Sequence, residues 1–406
     1  MRVLVSAYAC EPGRGSEPGV GWNFVKEMSL RHELTVITRA NNWKVVENSG
    51  EDWIGRIRWI LYDPPRWFTF WKRGSRGVQV YYLLWQLGVA MHLRTTLDFK
   101  NYDLAYHITF GKYWIPSFLG QFGIPLVFGP VGGGDETPKC FRTAYSFRGR
   151  IAELKKHFAV LLATRIFRYA YKRVSLAIAA TRESADKIAG LVDCPVVVHP
   201  QSAISRQDLL SMRRIAGTTP KRGNLRFLTV CRLEHWKAVD LAVRAFADVV
   251  GVFPDATLEI VGTGPEERRL RRFIRSLHLE RNVRLLGRLP TQEDVYRLIA
   301  GSTALVHPAL HESFGQVCLE SAALGTQVIC WDHGGPGFIA SRCGLKSVPL
   351  PKDGPDVSGL SKAILETCSG KSGVPSLPDD FLWDSWCDTV ESFLLKLRNL
   401  DNSIAT

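Results

Sequence analysis

Two glutamates, Glu312 and Glu320, have the clearest potential for chemistry in this sequence. Residues 304–307 are typical of a strand and residues 315–324 of a helix, which places Glu312 in a loop and Glu320 inside the helix. A helix N-terminus offers backbone N–H groups and the positive end of the helix dipole, which suit a phosphate group. A carboxylate beside it can hold a hydroxyl group or stabilise positive charge that develops nearby. The alternative is that Glu312 caps the helix and Glu320 is a solvated helical residue.

Arg232 and Lys237 form a second candidate pair, in a loop between a predicted strand at 225–230 and a predicted helix at 239–250. Such a pair can converge on two phosphates, with the Arg as a planar fork and the Lys as a point charge. The alternative is a pair of solvated surface cations. A third feature is the turn at 261–265, whose glycines let a ligand approach the backbone closely.

These loops belong to a regular alternation of strands and helices. The predicted strands are residues 3–5, 34–37, 103–108, 125–128, 176–180, 196–199, 225–230, 257–261, 283–286, 304–307 and 327–330. This alternation predicts parallel sheets covered by helices, in which ligands bind outside the carboxyl ends of the strands. We expect a first domain at 1–202, a second at 203–383, and a C-terminal helix at 384–406 that packs back on the first domain.

The composition excludes disordered and fibrous proteins, because 46% of the 406 residues are hydrophobic. Residues 1–200 hold 27 basic and 16 acidic side chains, so the first half carries +11 of the net charge of +13 and should meet an anionic partner. Nine scattered cysteines without a C-x-x-C pair indicate a reducing compartment, and we expect the cytoplasm. No apolar run approaches the roughly 18 residues that span a bilayer.

In this order, the three motifs resemble the nucleotide-binding domain of retaining glycosyltransferases of family 4, the group 1 glycosyltransferases. The paired glutamates of that family are matched by Glu312 and Glu320, its Arg-to-Lys loop by Arg232 and Lys237, and its glycine turn by residues 261–265. The resemblance covers residues 225–340 by motif and residues 1–200 by architecture and a glycine-rich first loop. It implies the GT-B fold, with two Rossmann-like, doubly wound α/β domains that face a central cleft and a C-terminal helix that crosses back.

The resemblance also implies roles in the second domain. Arg232 and Lys237 would neutralise the departing diphosphate, Glu312 would contact the donor sugar, and Glu320 would contact the ribose. The other donor-binding residues implied are Gly264 in the turn, Arg288 near the base, and Phe314, Gly315 and Gln316, whose amides would hold phosphates or sugar. With cations on the diphosphate, no metal and no cofactor besides the nucleotide-diphosphate-sugar donor is expected. His307 and His311 have the spacing of a metal pair, but without a third ligand nearby we interpret them as structural.

Two first-domain residues complete the implied site. Gly15 lies in the first glycine-rich loop, which would bring backbone N–H groups toward donor and acceptor. His107, at the end of the strand 103–108, matches by position a histidine beside the reacting sugar. The alternative is that His107 is a satisfied structural residue.

Three departures from the family pattern leave the donor open. Ala238 stands where Gly usually follows the Lys, and Gln327 replaces a frequent Pro. Gly337 stands where many members have a Glu, so a donor contact made by that carboxylate is lost or supplied elsewhere.

A basic and aromatic segment predicts a membrane contact. Residues 139–173 carry ten basic groups and one acid, Glu153, among apolar residues, and we expect a basic amphipathic helix that lies on an anionic membrane. A second candidate anchor is a tryptophan-rich region, comprising Trp53, Trp59, Trp67, Trp71 and Trp85 with Arg56, Arg58, Arg66, Lys72, Arg73 and Arg76. The alternatives are a core helix with a solvated basic face and a buried tryptophan cluster.

Together these features predict a retaining glycosyltransferase that moves a sugar from a nucleotide-diphosphate-sugar donor to a glycan or lipid-linked acceptor, in bacterial cell-surface polysaccharide or glycolipid assembly. We expect it in the cytoplasm, peripheral on the inner face of the membrane, without a nucleic-acid partner. Two alternatives remain at this point. One is a non-catalytic, basic protein on a GT-B scaffold that binds membrane or nucleic acid, and the other is a nucleotide-sugar epimerase.

Overall fold

The computed structural model describes residues 1–404 apart from 14, 16, 73–76, 144, 146, 221–224 and 372. The chain forms two compact units. Unit 1 comprises Met1–Gly134, Phe158–Ala203 and the chain from Leu382 onward, and unit 2 comprises Asp135–His157 and Ile204–Phe381.

Unit 1 contains a seven-stranded parallel sheet in the order β3-β2-β1-β4-β5-β6-β7. Its strands are β1 Arg2–Ser6, β2 Glu33–Thr38, β3 Arg58–Leu61, β4 Leu104–His107, β5 Leu126–Val131, β6 Leu176–Ala179 and β7 Val196–Val198. Its helices are α1 Glu17–Ser29, α2 Trp43–Glu47, α3 Val78–Thr96, α4 Phe147–Ile166, α5 Arg168–Tyr171 and α6 Arg182–Ala189, and the division between the units falls within α4. Val3 and Val5 pack in one core cluster and Leu4 in another, because alternate side chains of a central parallel strand enter the two covered faces.

Unit 2 contains a six-stranded parallel sheet in the order β10-β9-β8-β11-β12-β13. Its strands are β8 Arg226–Val230, β9 Thr257–Val261, β10 Val283–Gly287, β11 Ala304–His307, β12 Gln327–Trp331 and β13 Lys346–Val348. Its further helices are α7 Arg206–Thr218, α8 Val239–Val252, α9 Glu267–Ser276, α10 Gln292–Ala300, α11 Gln316–Ala323, α12 Gly334–Cys343 and α13 Ser358–Cys368.

The last helix, α14 (Trp383–Ile404), packs within unit 1. The indole N–H of Trp386 donates to the Pro200 carbonyl at 2.8 Å, and Arg31 pairs with Asp388 at 2.8 Å. Trp386 is fully buried, so this contact is part of the unit 1 core.

The division differs from the sequence-based boundaries in residues 135–157. We expected them in the first domain, but they pack with unit 2. Apolar burial explains this difference, because the buried rings of Phe141 and Tyr145 belong to the core of unit 2.

The continuous basic helix predicted over 139–173 is also different in the structure. A short 3-10 turn, Lys139–Phe141, precedes α4, and α4 ends at Ile166 before the short α5. Within the described part of the chain, no helix is both long enough and apolar enough to span a bilayer.

Candidate active site

The candidate site of unit 2 lies where its strand order reverses. β8 and β11 are hydrogen-bonded neighbours, although they are separated in sequence by β9 and β10. The loops that follow their carboxyl ends are therefore adjacent. The loop after β8 carries Lys237, and the loop after β11 carries Glu312. The Leu310 amide donates to the Trp236 carbonyl at 2.9 Å, which ties the loops together. A reversal of this kind is where open α/β sheets bind ligands.

Lys237, Glu312 and His307 form a largely buried, hydrogen-bonded group in these loops. The Lys237 ammonium donates to Glu312 Oε1 at 2.6 Å, and His307 Nε2 lies 2.5 Å from Glu312 Oε2. Their side chains are exposed by 15%, 19% and 1%, respectively. Burial raises the pKa of Glu312, but Lys237 and His307 outweigh it and hold that pKa well below its usual range. Burial likewise opposes the charge on Lys237, yet Glu312 raises the Lys237 pKa overall. The site therefore holds a carboxylate and an ammonium in contact.

Arg232 is placed differently from Lys237. Its guanidinium donates to Glu234 Oε1 at 2.8 Å, and its side chain is 75% exposed. Arg232 is thus available to an anion at the surface, whereas Lys237 is already engaged by Glu312. Ala238, at the position of the usual Gly, has φ +47° and adopts the left-handed conformation before α8. Ala carries there a backbone cost of roughly 1 kcal/mol that Gly would avoid.

The loop after β11 leads directly into α11. Gly315 precedes the helix with φ +86°, so the chain turns sharply between Glu312 and Gln316. A Cβ on Gly335 would lie 2.3 Å from the Phe314 Cα, and the Gly335 amide donates to the Glu312 carbonyl at 2.9 Å. This close approach fixes the backbone of Phe314 and Gly315 at the positive end of α11, which suits an anion.

Glu320 lies inside α11 and is 9% exposed. Tyr296 donates a hydrogen bond to its Oε1 at 3.3 Å. Burial raises the pKa of Glu320 to about 7, although Gln316 and Tyr296 partly oppose the rise. Glu320 is therefore not the solvated helical residue of the alternative interpretation.

The raised pKa of Glu320 predicts a specific dependence of stability on pH. Between its ordinary pKa of 4.5 and about 7, the folded protein holds a proton that the unfolded chain releases, so the free energy of unfolding falls as pH rises. That difference corresponds to about 3 kcal/mol. We expect Glu320→Gln to be more stable than the wild type at pH 8 by up to this amount and similar to it at pH 5, as measured by urea unfolding. The exposed Glu280→Gln is the control, and equal effects at both pH values would contradict the prediction.

The glycine turn serves the chain itself. Cβ atoms on Gly262 and Gly264 would lie 1.9 Å from the Cys231 carbonyl oxygen and 2.4 Å from that of Leu233. The Leu233 amide donates to the Thr263 carbonyl at 3.0 Å. The glycines are thus required by the packing of the turn against the Arg232 loop. Ligand contact there stays a prediction, as it does for the exposed Arg288 after β10.

The two first-domain candidates belong to unit 1. Gly15 is exposed in the loop before α1. His107 is fully buried at the end of β4, with its Nε2 2.7 Å from the Tyr82 hydroxyl oxygen. Burial lowers the pKa of His107 to about 3, so the ring is neutral. This environment suits the structural interpretation of His107, and a role beside a sugar stays a prediction.

Sequence reasoning missed the contribution of His307. We interpreted His307 and His311 together as structural because no third metal ligand follows. They have different partners, His307 the Glu312 carboxylate and His311 the Lys156 ammonium at 2.8 Å. The signal was the position of His307, the last residue of β11 at the sheet reversal.

Comparison with known proteins gives matches to glycosyltransferases. Residues 214–341 match the family model of group 1 glycosyl transferases. Glycogen synthase of Mycobacterium tuberculosis is 33% identical over 151 residues, which are 37% of this chain and 35% of that protein. A GDP-mannose-dependent monoacylated alpha-(1-6)-phosphatidylinositol monomannoside mannosyltransferase of Corynebacterium glutamicum is 34% identical over 143 residues, 33% of this chain and 35% of that protein. The chain thus matches about a third of the length of these curated relatives.

A solved structure matches over nearly the whole chain. Sucrose-phosphate synthase from Thermosynechococcus elongatus superimposes with a TM-score of 0.63 over 99% of this chain and 98% of that chain, at 16% identity. At this identity the likeness concerns the fold alone. With the two parallel sheets described above, it confirms the expected GT-B class of two Rossmann-like domains.

Proposed function

We propose that this chain, whose residues 214–341 match the family model of group 1 glycosyl transferases, transfers a sugar from a nucleotide-diphosphate-sugar donor to an acceptor with retention of configuration. The observation that carries the proposal is the contact of Lys237 with Glu312 at the reversal of the unit 2 sheet. A departing diphosphate needs positive charge, and the sugar it leaves develops positive charge at its reacting carbon. An ammonium and a carboxylate held together supply both.

The same contact suggests how the donor engages the site. In the ligand-free protein Lys237 is neutralised by Glu312 at 2.6 Å. A diphosphate carries more negative charge than one carboxylate, so Lys237 turns toward the bound phosphates and is joined by the exposed Arg232. Glu312 keeps its hydrogen bond with His307 and gains a free oxygen for the hydroxyls of the donor sugar. The remaining contact with His307 also favours the ionised form of Glu312.

The rest of the donor fits the elements around this pair. The amides of Phe314, Gly315 and Gln316 at the start of α11 hold phosphate or sugar oxygens. Glu320 accepts hydrogen bonds from the ribose hydroxyls, and these bonds favour its ionised form. Because side-chain cations neutralise the diphosphate, we propose that no divalent metal takes part.

The similarities and the surface of unit 1 support a proposal for the acceptor class. One relative is named for transfer to a phosphatidylinositol mannoside, which is a lipid. We propose a glycan or lipid-linked acceptor, in cell-surface polysaccharide or glycolipid assembly at the inner face of the membrane.

A thermal-shift screen against UDP-, GDP-, ADP- and TDP-linked sugars, with and without EDTA, tests the donor proposal. A ligand that binds the native state alone raises the melting temperature. We expect a shift with one nucleotide family, unaffected by EDTA. A shift that EDTA removes would contradict the metal-free mechanism, and no shift with any donor, even in the presence of vesicles, would contradict the donor site.

Part of the unit 1 surface supports membrane contact. Apolar side chains along the end of α4 and in α5 are more than half exposed, namely Phe158, Leu161, Leu162, Ile166 and Tyr169. Residues 154–182 contain no acid, and Arg165, Arg168, Lys172 and Arg173 lie exposed in the same stretch. Of the second candidate anchor, Trp67 is 75% exposed, whereas Trp53 and Trp85 are buried, and Arg73 and Arg76 lie outside the described residues. We propose that the α4–α5 surface contacts anionic lipid.

Changing Arg165, Arg168, Lys172 and Arg173 together to Gln should weaken binding to anionic vesicles by well over tenfold, since each basic group near such a surface contributes about 1 kcal/mol. Co-sedimentation with vesicles measures this. The matched control changes Arg268, Arg271, Arg272 and Arg275 of α9 to Gln and alters the net charge equally. Equal weakening by both sets would contradict a specific membrane surface.

A further inference from the structure

The segment Asp135–His157 contacts both loops of the candidate site within unit 2. Asp135 Oδ2 accepts a hydrogen bond from the Ser313 hydroxyl at 2.5 Å, one residue after Glu312. Further along, Glu153 Oε1 lies 3.1 Å from His235 Nε2, and Lys156 Nζ lies 2.8 Å from His311 Nε2. His235 begins the short 3-10 turn that ends at Lys237, and His311 directly precedes Glu312. The segment thus touches a neighbour of each charged site residue.

Glu153 and Lys156 act from one face of α4, because positions three apart are neighbours on a helix. Their charged groups are 3.9 Å apart, and both side chains are about 30% exposed. Burial opposes the charge of Glu153, yet His235 and Lys156 outweigh it and lower the Glu153 pKa. Burial lowers the pKa of Lys156, while Glu153, Glu136 and Asp135 oppose that change. Such partly desolvated pairs hold their geometry better than surface pairs.

Apolar contacts fix the segment in place. The ring centroids of Phe141 and Trp331 are 5.0 Å apart, and those of Tyr145 and His235 are also 5.0 Å apart. Gly149 approaches His235 so closely that a Cβ there would lie 3.2 Å from the imidazole. His235 is therefore enclosed by Tyr145, Gly149 and Glu153, and these contacts restrict the position of its ring.

We propose that Glu153 and Lys156 are positioning residues of the donor site, Glu153 holding the Lys237 loop through His235 and Lys156 holding Glu312 through His311. The inference rests on the proposed function and extends it to residues outside the segment 214–341 that matches the family model. Neither residue needs to touch the donor. Each fixes the backbone beside a group that does, and a displacement of about 1 Å at such a group can lower turnover a hundredfold.

The contact of Lys156 with His311 and that of Glu153 with His235 predict different kinetic effects. Lys156→Met should lower kcat about tenfold with little change in the donor KM, because Glu312 acts on the reacting sugar. Glu153→Gln should both lower kcat and raise the donor KM, because Lys237 binds the diphosphate. The matched control is Lys155→Met, which removes the same charge from the adjacent exposed position of α4. We expect it to behave as the wild type.

Hydrogen exchange of the donor-free protein provides a readout that does not depend on activity. In Lys156→Met the amides of residues 310–316, and in Glu153→Gln those of 231–238, should exchange about tenfold faster than in Lys155→Met. The inference would be overturned if each loop exchanged at the same rate in all three variants. It would also be overturned if Lys156→Met and Glu153→Gln had the same effects on kcat and on the donor KM. A wild-type protein that turns over no donor would instead defeat the proposed function, and exchange would still show whether α4 holds the two loops.

Discussion

Glu312→Gln is expected to lower sugar transfer by about 10² to 10³-fold, the size of effect seen when one preorganised electrostatic group is removed from an active site. The amide keeps the shape of the side chain and can still accept from His307 and face Lys237. On the proposed mechanism, it loses the negative charge that would stabilise the developing charge on the sugar. Donor binding should change by less than about threefold, because in the proposed site other groups hold the phosphates.

Initial rates and donor titration by calorimetry measure the two quantities separately. Glu293→Gln is the matched control, because Glu293 also pairs with a cation, Arg297, but both side chains are more than half exposed on α10. The control should retain wild-type rates. A Glu312→Gln protein that transfers sugar at the wild-type rate would remove Glu312 from the site.

Much of the fold was predictable because central parallel strands are continuous apolar runs. All five interior strands of the unit 1 sheet, β2, β1, β4, β5 and β6, coincide with predicted segments, as do the interior strands of unit 2. The two strands that sequence missed, β3 (Arg58–Leu61) and β13 (Lys346–Val348), both lie at sheet edges. These two strands are four and three residues long and mostly only partly buried, so each gives a weaker sequence signal than a fully buried interior strand.

The position of the candidate site was predictable from the sequence because the order of the strands determines which loops are neighbours. Once β8 and β11 are recognised as the neighbours at the strand reversal, their following loops must lie side by side, which brings Lys237 to Glu312. The partner of each charge was not predictable. Lys237 pairs with Glu312 because a largely buried ammonium requires a counter-charge in the absence of ligand. Arg232 pairs with Glu234 although its side chain is 75% exposed, and phosphate binding by both cations stays a prediction.

The contacts of residues 135–157 were the least accessible to sequence reasoning. The basic and apolar composition of residues 139–173, which overlap this segment, predicts a membrane helix in which Glu153 is the one acid among ten basic groups. Its partner His235 is 82 residues away and lies in another segment of unit 2. Composition can predict the character of a surface but not a contact between residues so distant in sequence. Such a contact depends on tertiary packing, which here is set by the buried rings of Phe141 and Tyr145.

Lys237→Met should be the most destabilising single change at the site, lowering the free energy of unfolding by about 3 kcal/mol. The substitution fills much of the same space but leaves the Glu312 carboxylate buried with His307 as its remaining partner. The double variant Lys237→Met/Glu312→Gln removes both charges. It should be more stable than Lys237→Met alone, because an uncompensated buried charge costs more than a lost ion pair.

Urea unfolding of the wild type, the two single variants and the double variant yields the coupling energy directly. The control cycle is Arg297→Met with Glu293→Gln on the exposed face of α10, where coupling should be well under 1 kcal/mol. Additive effects at Lys237 and Glu312 would mean that the two charges are independently solvated. In that case the ammonium would already be free in the resting protein, and phosphate binding would not need to release Glu312 toward the sugar.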